Sequence, residues 1–425
     1  MMDPAEIAHG ADPIPSTTCV DAKSMWCSTM PADPISKALD DDDNNSFSMA
    51  ATPPLDDENL LQEILLRLPP QPSSLPRASV ACKRWHTILS DPGFLTRFRK
   101  HHHEPPLLGF FTGITGSHFV PFLDTKPDRI PAQRFSLWLR HWDWYFMGCR
   151  HGLAAVINRS KREAVVWDPL SAQQHRVTFP PGLRSKFRHA AVLCADAEDG
   201  HVHGDCFSSP FKLVLVSVGE IQTFACLYES ISGVWGNIVS TVTTDEILRI
   251  RPSILIGNAL FWLLRGGGVL MFDTESQSLS VIEKPVDARA TDCFSFQLLR
   301  TDDSALGFAV LSELSIQLWK RKLNCDDVVE WVLLQKIVQL EGLFPREMYS
   351  GLKVAKMVGY DEDSNVIVLA TYIGDFMLQL ESMQFKTISK RNCWSIKIHY
   401  PYRNFYTAVR GDAGGGSGGA VNFNT

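Results

Sequence analysis

Histidine and cysteine side chains are the first candidates for chemistry in this chain of 425 residues. His201 and His203 stand close to Asp205 and Cys206, and together they offer the nitrogen, oxygen and sulfur donors that bind zinc. They lie in an acidic segment flanked by glycines, which we interpret as a surface loop without a metal. The three consecutive histidines at 101–103 are interpreted as a solvated linker, because adjacent side chains do not converge on one ion from regular structure.

The glycines after Arg265 are a candidate for phosphate binding. The segment matches neither GxGxxG nor GxxxxGK[ST], and no helical pattern follows it, so a tight hairpin turn explains it better. The sequence also lacks the HExxH motif of zinc hydrolases, and spacing alone pairs no cysteine with a catalytic histidine. We predict no catalytic residues, no cofactor and no metal site, and hence a protein that is not an enzyme.

Charge and cysteine content restrict the class of protein. The formal net charge of -6 and the isoelectric point near 6.1 give no basic field that attracts phosphate backbones, so we predict no nucleic-acid partner. The 10 cysteines are scattered without a CxxC pair, which is typical of a reducing compartment. The most apolar stretch, at 254–264, is shorter than the roughly 20 residues that span a bilayer. These features indicate a soluble intracellular protein of the nucleus, the cytoplasm or both, with no membrane partner.

Helical periodicity is confined to residues 53–100. A first apolar stripe ends at Pro69-Pro70, because consecutive prolines stop a helix. A second stripe runs from Leu75 to Leu89, and Asp91-Pro92 is typical of an N-cap followed by proline at the first helical position. We therefore predict three short helices. The first stripe comprises Leu60, Leu61, Ile64, Leu65 and Leu68.

This segment resembles the F-box, a small helical docking domain. The resemblance rests on the leucine-rich helix that ends in Leu68-Pro69, on Cys82-Lys83-Arg84-Trp85 in the second helix, and on the element Ser90-Asp91-Pro92-Gly93-Phe94. The sequence departs from the family pattern in two places. Asp56 stands where the leading Leu-Pro has its proline, and the usual valine is shifted one place upstream, to Val80.

An F-box implies docking on the Skp-type adaptor of a cullin-based SCF ubiquitin ligase. About fifty residues bury too small a fraction of their surface to be comfortably stable alone, so part of the apolar stripes is expected to face a partner. The remainder must hold the helices together, and spacing does not separate the two groups. The predicted adaptor-binding residues are Pro54, Leu55, Leu61, Ile64, Leu65, Leu68, Pro69, Leu75, Val80, Lys83 and Trp85.

Beyond Pro105 the sequence changes to short β-like runs separated by Gly, Pro and Asp turns. One cassette recurs, in which an apolar strand ends in an aromatic residue and a polar turn follows, as at Trp167-Asp168 and Phe272-Asp273. The central copies are spaced by roughly 40 to 50 residues, the length of a four-stranded propeller blade, so we predict six to eight blades. A strand at 395–399 is expected to close the ring against residues 107–111. A β-sandwich or two stacked sheets is the alternative.

The β region also resembles the F-box-associated propeller modules that are common in plant F-box proteins, particularly at Trp167-Asp168-Pro169 and in the run Gly-Asn-Ala-Leu-Phe-Trp at 257–262. The predicted fold is therefore an α+β multidomain chain. Its expected parts are a disordered leader at 1–50, a three-helix F-box at 51–100, an F-box-associated β-propeller-like domain at 106–408, and a flexible Gly/Ser tail at 409–425.

Both resemblances imply a non-catalytic substrate-recognition subunit of an SCF ubiquitin ligase. The F-box would dock on the Skp-type adaptor and through it on cullin, while the β domain would capture a client protein, of unknown identity, for ubiquitination. One alternative is an F-box tether or scaffold outside any ligase. A propeller lectin or enzyme is a less favoured alternative.

Overall fold

The computed structural model describes the part of the chain that begins at Asp57. The leader at 1–50, the tail at 409–425, and the three residues Pro54, Leu55 and Asp56 lie outside the described residues. The structure describes 57–113, 118–123, 125–135, 143–181, 187–196, 200–243, 245–248, 251–288, 292–312, 315–323, 329–340, 355–390 and 396–407.

The described residues begin with four short helices: α1 (Glu58–Leu66), α2 (Ser74–Ser79), α3 (Lys83–Ser90) and α4 (Pro92–His102). Asp57 caps α1, because its carboxylate accepts hydrogen bonds from the backbone N–H groups of Asn59 and Leu60 at 2.8 and 3.2 Å. Asp91 caps α4 by accepting a hydrogen bond from the Phe94 N–H at 2.7 Å, and a proline follows as the first helical residue. The cap predicted from Asp91 is confirmed.

The stripe predicted as a single second helix is divided into α2 and α3. The break falls between Ser79 and Lys83, where Cys82 has an extended backbone with φ -160° and ψ 166°. The apolar spacing continues across the break because both helices turn apolar residues toward the same core. Spacing alone therefore predicted three helices where the described part of the chain has four.

The four helices enclose one small apolar core. Its buried members are mostly leucine and phenylalanine: Leu61, Leu65, Leu66, Leu75, Ile88, Leu89, Phe94, Phe98 and Phe405. The last of these comes from the far end of the chain. Full burial of one such side chain stabilises a fold by about 1.5–3 kcal/mol, so the propeller end contributes directly to the helical domain that resembles the F-box.

The described residues that follow α4 form six antiparallel sheets, which we number as blades 1 to 6 around a ring. Blade 1 combines strands from both ends of the propeller: β1 (Leu107–Thr112), β2 (His118–Pro121) and β24 (His399–Arg403). Blade 2, which follows a short 3-10 helix (Ala132–Phe135), has β3 (Trp144–Arg150), β4 (Leu153–Asn158), β5 (Glu163–Trp167) and β6 (Gln174–Thr178). Blade 3 has β7 (Phe187–Cys194), β8 (Phe211–Val218), β9 (Gln222–Glu229), β10 (Val234–Trp235) and β11 (Val239–Val242).

The other three blades each have four strands. Blade 4 has β12 (Ile254–Ile256), β13 (Ala259–Leu263), β14 (Val269–Asp273) and β15 (Ser278–Ile282). Blade 5 has β16 (Phe296–Arg300), β17 (Leu306–Ser312), β18 (Ser315–Leu323) and β19 (Val329–Gln339). Blade 6 has β20 (Lys356–Asp361), β21 (Val366–Thr371), β22 (Gly374–Gln379) and β23 (Phe385–Lys390).

The blades close into a ring, which confirms the predicted propeller and excludes the sandwich. Blade 1 contacts blade 2 through β24 and β3, and blade 6 returns to blade 1 through β20 and β24. Blade 2 meets blade 3 through β3 and β7, blade 3 meets blade 4 through β11 and β15, and β16 joins blade 5 to its neighbours through β12 and β20. Ring closure pairs the first strand of the domain with β24 near its end, so the two ends of the propeller are joined within one sheet.

Ring closure depends on β24, which pairs antiparallel with β1 and places His399 opposite Thr112. The predicted pairing of the C-terminal strand with the start of the β domain is confirmed, but the strand runs over 399–403 rather than 395–399. The alternation of buried and partly exposed residues continues through Tyr400 and Tyr402, which are both 1% exposed. Periodicity therefore did not fix where the strand begins.

Aspartate caps the turn of the recurring cassette in two blades. In blade 2, Asp168 accepts a hydrogen bond from the Leu170 N–H at 2.9 Å. In blade 4, Asp273 accepts hydrogen bonds from the N–H groups of Glu275 and Ser276 at 3.0 and 2.8 Å. These local bonds satisfy the backbone of the turn, which is the physical reason for aspartate at this position.

Candidate docking surface of the F-box and its support on the propeller

Among the described residues of the helical domain, large apolar side chains are exposed at three positions. Leu60 and Ile64 on α1 are 49% and 45% exposed, and Val80, where α2 ends, is 82% exposed. Lys83, at the start of α3, is also exposed. Large apolar side chains in water favour contact with a partner. We call Leu60, Ile64, Val80 and Lys83 the candidate docking residues.

Helix α1 divides its leucine stripe between two faces. At about 100° per residue, Leu60 and Ile64 lie about 40° apart, and Leu61 and Leu65 form a similar pair on the adjoining face. The second pair is 0% exposed and fills the F-box core. The first pair remains in water, so the same stripe supplies both a core face and a candidate partner face.

The predicted adaptor-binding residues fall into groups of different burial. Three are core residues at most 3% exposed: Leu61, Leu65 and Leu75. Two are partly buried against that core: Leu68 and Trp85. Four are exposed: Ile64, Pro69, Val80 and Lys83. Two lie outside the described residues: Pro54 and Leu55.

The assignment of Leu61, Leu65 and Leu75 to the adaptor contact stays a prediction, and their burial favours a role in the core instead. A side chain with almost no exposed area has nothing further to bury against a partner, so we assign these three to the F-box core. Leu60 was absent from the predicted contact set, although it belongs to the same stripe. Its position beside Ile64 on the helical face was the signal that could have identified it.

Helix α4 joins the F-box to the propeller. The Phe98 ring meets the Phe405 ring edge to face with centroids 6.1 Å apart. Arg99 Nη2 lies 3.0 Å from Asp205 Oδ2, in a pair whose side chains are only 14% and 23% exposed. Val202 packs against the F-box core beside them. Apolar packing and an ion pair therefore act together at this junction.

A second junction lies at the start of α2. The Ser73 N–H donates a hydrogen bond to Asp128 Oδ1 at 3.1 Å, and Asp128 lies between β2 and the 3-10 helix. Two junctions on different elements restrict rotation of the F-box relative to the blades. The candidate docking residues are therefore held in a defined orientation relative to the propeller.

Charged side chains gather at the end of the ring where β3 and β24 finish. Arg150 Nε lies 2.6 Å from Glu362 Oε1, and its Nη2 donates to the Ser253 carbonyl at 2.8 Å. Arg403 Nη2 lies 2.6 Å from Asp361 Oδ2 in the same cavity lining. The charges that line this cavity are already paired with one another. We therefore assign them to the contacts that close the ring rather than to a ligand site.

Cysteine and histidine side chains converge near the F-box junction. The Sγ atoms of Cys194 and Cys206 and one ring nitrogen each of His201 and His203 lie within 4.8 Å of one another. These residue types suit a metal ion. The sequence pattern of this segment predicted a loop without a metal, and Cys194 was not among the candidate donors, because that cysteine ends β7 and only the fold brings it to the histidines.

Two family descriptions match the chain. The F-box domain matches residues 55–97, which contain α1 to α3 and the start of α4. The beta-propeller of the F-box protein AT5G49610-like type matches residues 145–392, from β3 to the end of blade 6. The propeller match alone covers more than half of the chain.

A curated relative and two solved structures give weaker likenesses. F-box protein At5g07610 of Arabidopsis thaliana is 24% identical over 260 residues, and the match spans 56% of this chain and 59% of that protein. The WD40 domain of SCAP from fission yeast has a TM-score of 0.34 at 12% identity, over 58% of this chain and 51% of that one. Sqt1 of Saccharomyces cerevisiae has a TM-score of 0.33 at 9% identity, over 57% and 72% of the two chains. Structural scores at this level support no statement about function.

The family follows from the two domain matches and agrees with the helices and blades described above. Among the described residues, no helix is both long and apolar enough to cross a membrane. The match over residues 145–392 continues the F-box match at 55–97 along the same chain. The chain belongs to the F-box proteins that carry an AT5G49610-like beta-propeller.

Proposed function

We propose that this protein is the substrate-receptor subunit of an SCF ubiquitin ligase. Its F-box docks on the Skp-type adaptor, and through it on cullin, while its propeller captures a client protein. The observation that supports this most is the exposure of Ile64 and Val80 on a helical domain whose own core is already buried. Burying a fully exposed side chain of this kind stabilises a complex by about 1.5–3 kcal/mol, so Val80 at 82% exposure gains most of that and Ile64 at 45% gains about half.

The receptor performs no chemistry in this proposal. Ubiquitin comes from a conjugating enzyme held elsewhere in the complex, and the receptor raises the effective concentration of the client's lysines near it. The contacts of Phe98 with Phe405 and of Arg99 with Asp205 support this role. A fixed F-box gives a fixed distance between the adaptor and the captured client.

The outer part of blade 3 is our proposed client-contact surface. Its strands and turns carry five large apolar side chains that are at least 41% exposed: Ile221, Ile231, Val234, Ile238 and Val242. The Thr243 N–H donates to the Ile221 carbonyl at 3.2 Å, so residues from the start of β9 and the end of β11 are neighbours here. Adjacent exposed apolar side chains are typical of a protein-binding surface.

Co-precipitation with purified Skp-type adaptor and cullin tests the proposal. We expect the wild-type chain to recover both proteins, and Ile64→Asp and Val80→Asp to recover neither. Val286→Asp is the matched control, because Val286 is 94% exposed on the propeller and lies outside the F-box. Adaptor recovery by the F-box variants at the wild-type level would contradict the docking surface. Recovery of adaptor without cullin would favour a tether outside the ligase.

The client surface is tested by comparing the proteins that accumulate in cells. Clients should accumulate when the Ile64→Asp, Val80→Asp double variant replaces the wild-type chain, because they are no longer delivered to the ligase. Val242→Asp, at a side chain that is 70% exposed beside the start of β9, should cause accumulation of the same proteins while still binding the adaptor. Normal turnover of those proteins with Val242→Asp would remove this part of blade 3 as the client surface. The nucleus or cytoplasm is the proposed compartment, in keeping with the six cysteines among the described residues, which form no disulfide with one another.

A further inference from the structure

The strongest unassigned feature is the group of Cys194, His201, His203 and Cys206, which we call the Cys2His2 cluster. Cys194 ends β7, and the other three follow in the loop before β8. Cys206 is 1% exposed, and the other three are partly buried. Two thiols and two imidazoles form the donor set of many structural zinc sites.

The separations within the Cys2His2 cluster match a tetrahedral metal site. His201 Nε2 lies 3.4 Å from Cys194 Sγ and 3.5 Å from Cys206 Sγ. His203 Nδ1 lies 3.5 Å from Cys206 Sγ. A tetrahedral zinc with Zn–S of about 2.3 Å and Zn–N of about 2.0–2.1 Å separates sulfur and nitrogen ligands by ~3.6 Å. Three of the six separations among the ligand atoms therefore have the length that tetrahedral zinc requires, and all four atoms lie within 4.8 Å of one another.

The Asp196 carboxylate orients His201 as the second partner of a metal-binding histidine usually does. His201 Nδ1 lies 3.1 Å from Asp196 Oδ2, so the carboxylate can accept a hydrogen bond from Nδ1–H. This arrangement leaves Nε2, the atom that faces both sulfurs, with a free electron pair for a metal ion. A carboxylate on the far nitrogen is the usual partner of a histidine that binds zinc.

His151 supports the opposite side of the Cys2His2 cluster. Its ring stacks on the His203 ring with centroids 3.6 Å apart and planes 9° apart. Its Nδ1 accepts a hydrogen bond from the backbone N–H of Cys194 at 3.1 Å. One side chain thus positions ligands from β7 and from the loop, which is the preorganisation that a metal site requires.

We propose that the Cys2His2 cluster binds one Zn²⁺ ion in a structural site. Two cysteines and two histidines complete four-fold coordination, so the ion keeps no open position for water or substrate. Two thiolates balance the charge of the ion, and tetrahedral sulfur–nitrogen coordination favours zinc over magnesium, calcium and manganese. The proposal does not rest on the ubiquitin-ligase function.

The zinc ion holds the loop that supports the F-box. Val202 lies between the two histidine ligands in sequence and packs against the F-box core. Asp205 immediately precedes Cys206 and pairs with Arg99 of α4 at 3.0 Å. Fixing the ligands therefore fixes these two contacts with the F-box, and zinc couples the loop to the orientation of the docking domain.

Metal content of the purified full chain tests the site directly. Protein prepared without chelators should contain one zinc per chain by elemental mass spectrometry. Cys194→Ser and Cys206→Ser should lose at least nine-tenths of it. The matched control is Cys226→Ser, because Cys226 is a buried cysteine on β9, 1% exposed, and outside the cluster. Retention of zinc by both cluster variants would overturn the proposal.

Cobalt substitution keeps the proposal testable if the serine variants fail to fold. The wild-type chain, refilled with Co²⁺ after zinc removal, should show the intense visible bands of tetrahedral cobalt and a thiolate-to-cobalt band in the near ultraviolet. Octahedral, sulfur-free cobalt spectra would overturn the proposal. So would wild-type protein that contains no stoichiometric metal and takes up neither zinc nor cobalt, or a Cys194–Cys206 disulfide in protein purified with reductant.

The structural role has its own readout. Removing zinc should increase the hydrogen-exchange rates of α4 and of residues 200–206 at least tenfold. The exchange rates of blade 5, which does not contain the cluster, should be unchanged. Adding zinc back should restore protection, whereas magnesium should not. Equal exchange with and without zinc would contradict the role in holding the F-box. Adaptor binding is measured separately, so failure of the zinc site and failure of the docking proposal are distinguishable.

Discussion

Phe98 of α4 and Phe405, which follows the last propeller strand, meet edge to face with ring centroids 6.1 Å apart. Phe405 is 2% exposed and belongs to the core of the F-box, although nearly the whole propeller separates the two in sequence. The end of the ring therefore completes the core of the first domain. This arrangement makes the stability of the F-box depend on closure of the propeller.

Phe405→Ala should destabilise the F-box more than the propeller. Removing a buried phenylalanine costs about 3–5 kcal/mol in the free energy of unfolding, because both burial and packing are lost. Hydrogen exchange under increasing urea, followed separately for α1 to α4 and for the blades, measures this difference. Tyr372→Ala is the control, because Tyr372 is 41% exposed, and its change should stay within about 0.5 kcal/mol. Equal loss in helices and blades would contradict the shared core.

The ion pair of Arg403 with Asp361 should stabilise closure of the propeller ring strongly. Asp361 is 1% exposed, and Arg403 on β24 also donates to the Pro105 carbonyl at 3.1 Å. Arg403→Ala leaves a buried carboxylate without its cation, which costs about 3–5 kcal/mol. Arg176→Ala is the matched control, because the Arg176 side chain is 55% exposed in its pair with Glu163. The control should lose less than about 1 kcal/mol. Urea unfolding measures the free energy of unfolding of both variants. Equal losses would contradict the stabilising role of the Arg403 ion pair in ring closure.

His189 is buried as a neutral side chain inside the ring. Its Nε2–H donates to the Arg251 carbonyl at 2.6 Å, and its Nδ1 accepts from the Trp262 indole N–H at 3.0 Å. Burial lowers the pKa of His189 to about 4. Both ring nitrogens are already used by the neutral form, so a proton on Nδ1 would break the bond from Trp262.

Stability should therefore fall as the pH is lowered below the unfolded pKa of histidine, about 6.5. The unfolded chain binds the proton first, so the contribution of His189 is fully present above that pH and is lost toward the folded pKa near 4. At pH 5 the loss relative to pH 7.5 is ~2 kcal/mol, since each pKa unit corresponds to about 1.4 kcal/mol. Urea unfolding of the wild type and of His189→Gln at both pH values isolates this share. The variant should lose less on acidification, and an identical pH dependence would refute the assignment.

Leu65→Asp should destabilise the F-box strongly, whereas Ile64→Asp should leave its stability nearly unchanged, although the two residues are adjacent. Leu65 is 0% exposed, so a buried aspartate there should cost more than about 3 kcal/mol and unfold the F-box. Ile64 is 45% exposed, and its change should leave the free energy of unfolding within about 0.5 kcal/mol. Circular dichroism during urea titration distinguishes the two. Loss of fold in Ile64→Asp would mean that the exposed face of α1 has a structural role.

The periodic patterns of the sequence predicted much of the fold. What they could not predict has a physical reason in each case. The Asp168 and Asp273 turns were predictable because aspartate satisfies local backbone N–H groups. The division of the second helix at Cys82 was not, because apolar spacing continues across it. The start of β24 was not fixed either, since the alternation that includes Tyr400 and Tyr402 has no turn signal at its beginning.

The candidate sites were predictable only in part. The stripe of α1 indicated a docking helix, but which leucines face the core depends on where α4 and the C-terminal Phe405 pack. His201 and His203 were noticed as donors, whereas Cys194 was not, because it lies on a strand and joins them only through the fold. Long-range contacts of this kind leave no periodic signal in one sequence.

The affinity of the Skp-type adaptor for the F-box tests the central claim most directly. Titration calorimetry with the wild-type chain should show one-to-one binding, and Ile64→Asp, Val80→Asp should each weaken it at least tenfold, about 1.4 kcal/mol. Val286→Asp should bind as the wild type does, because Val286 is exposed on the propeller. Wild-type affinity in both F-box variants, or no binding by the wild-type chain, would contradict the account.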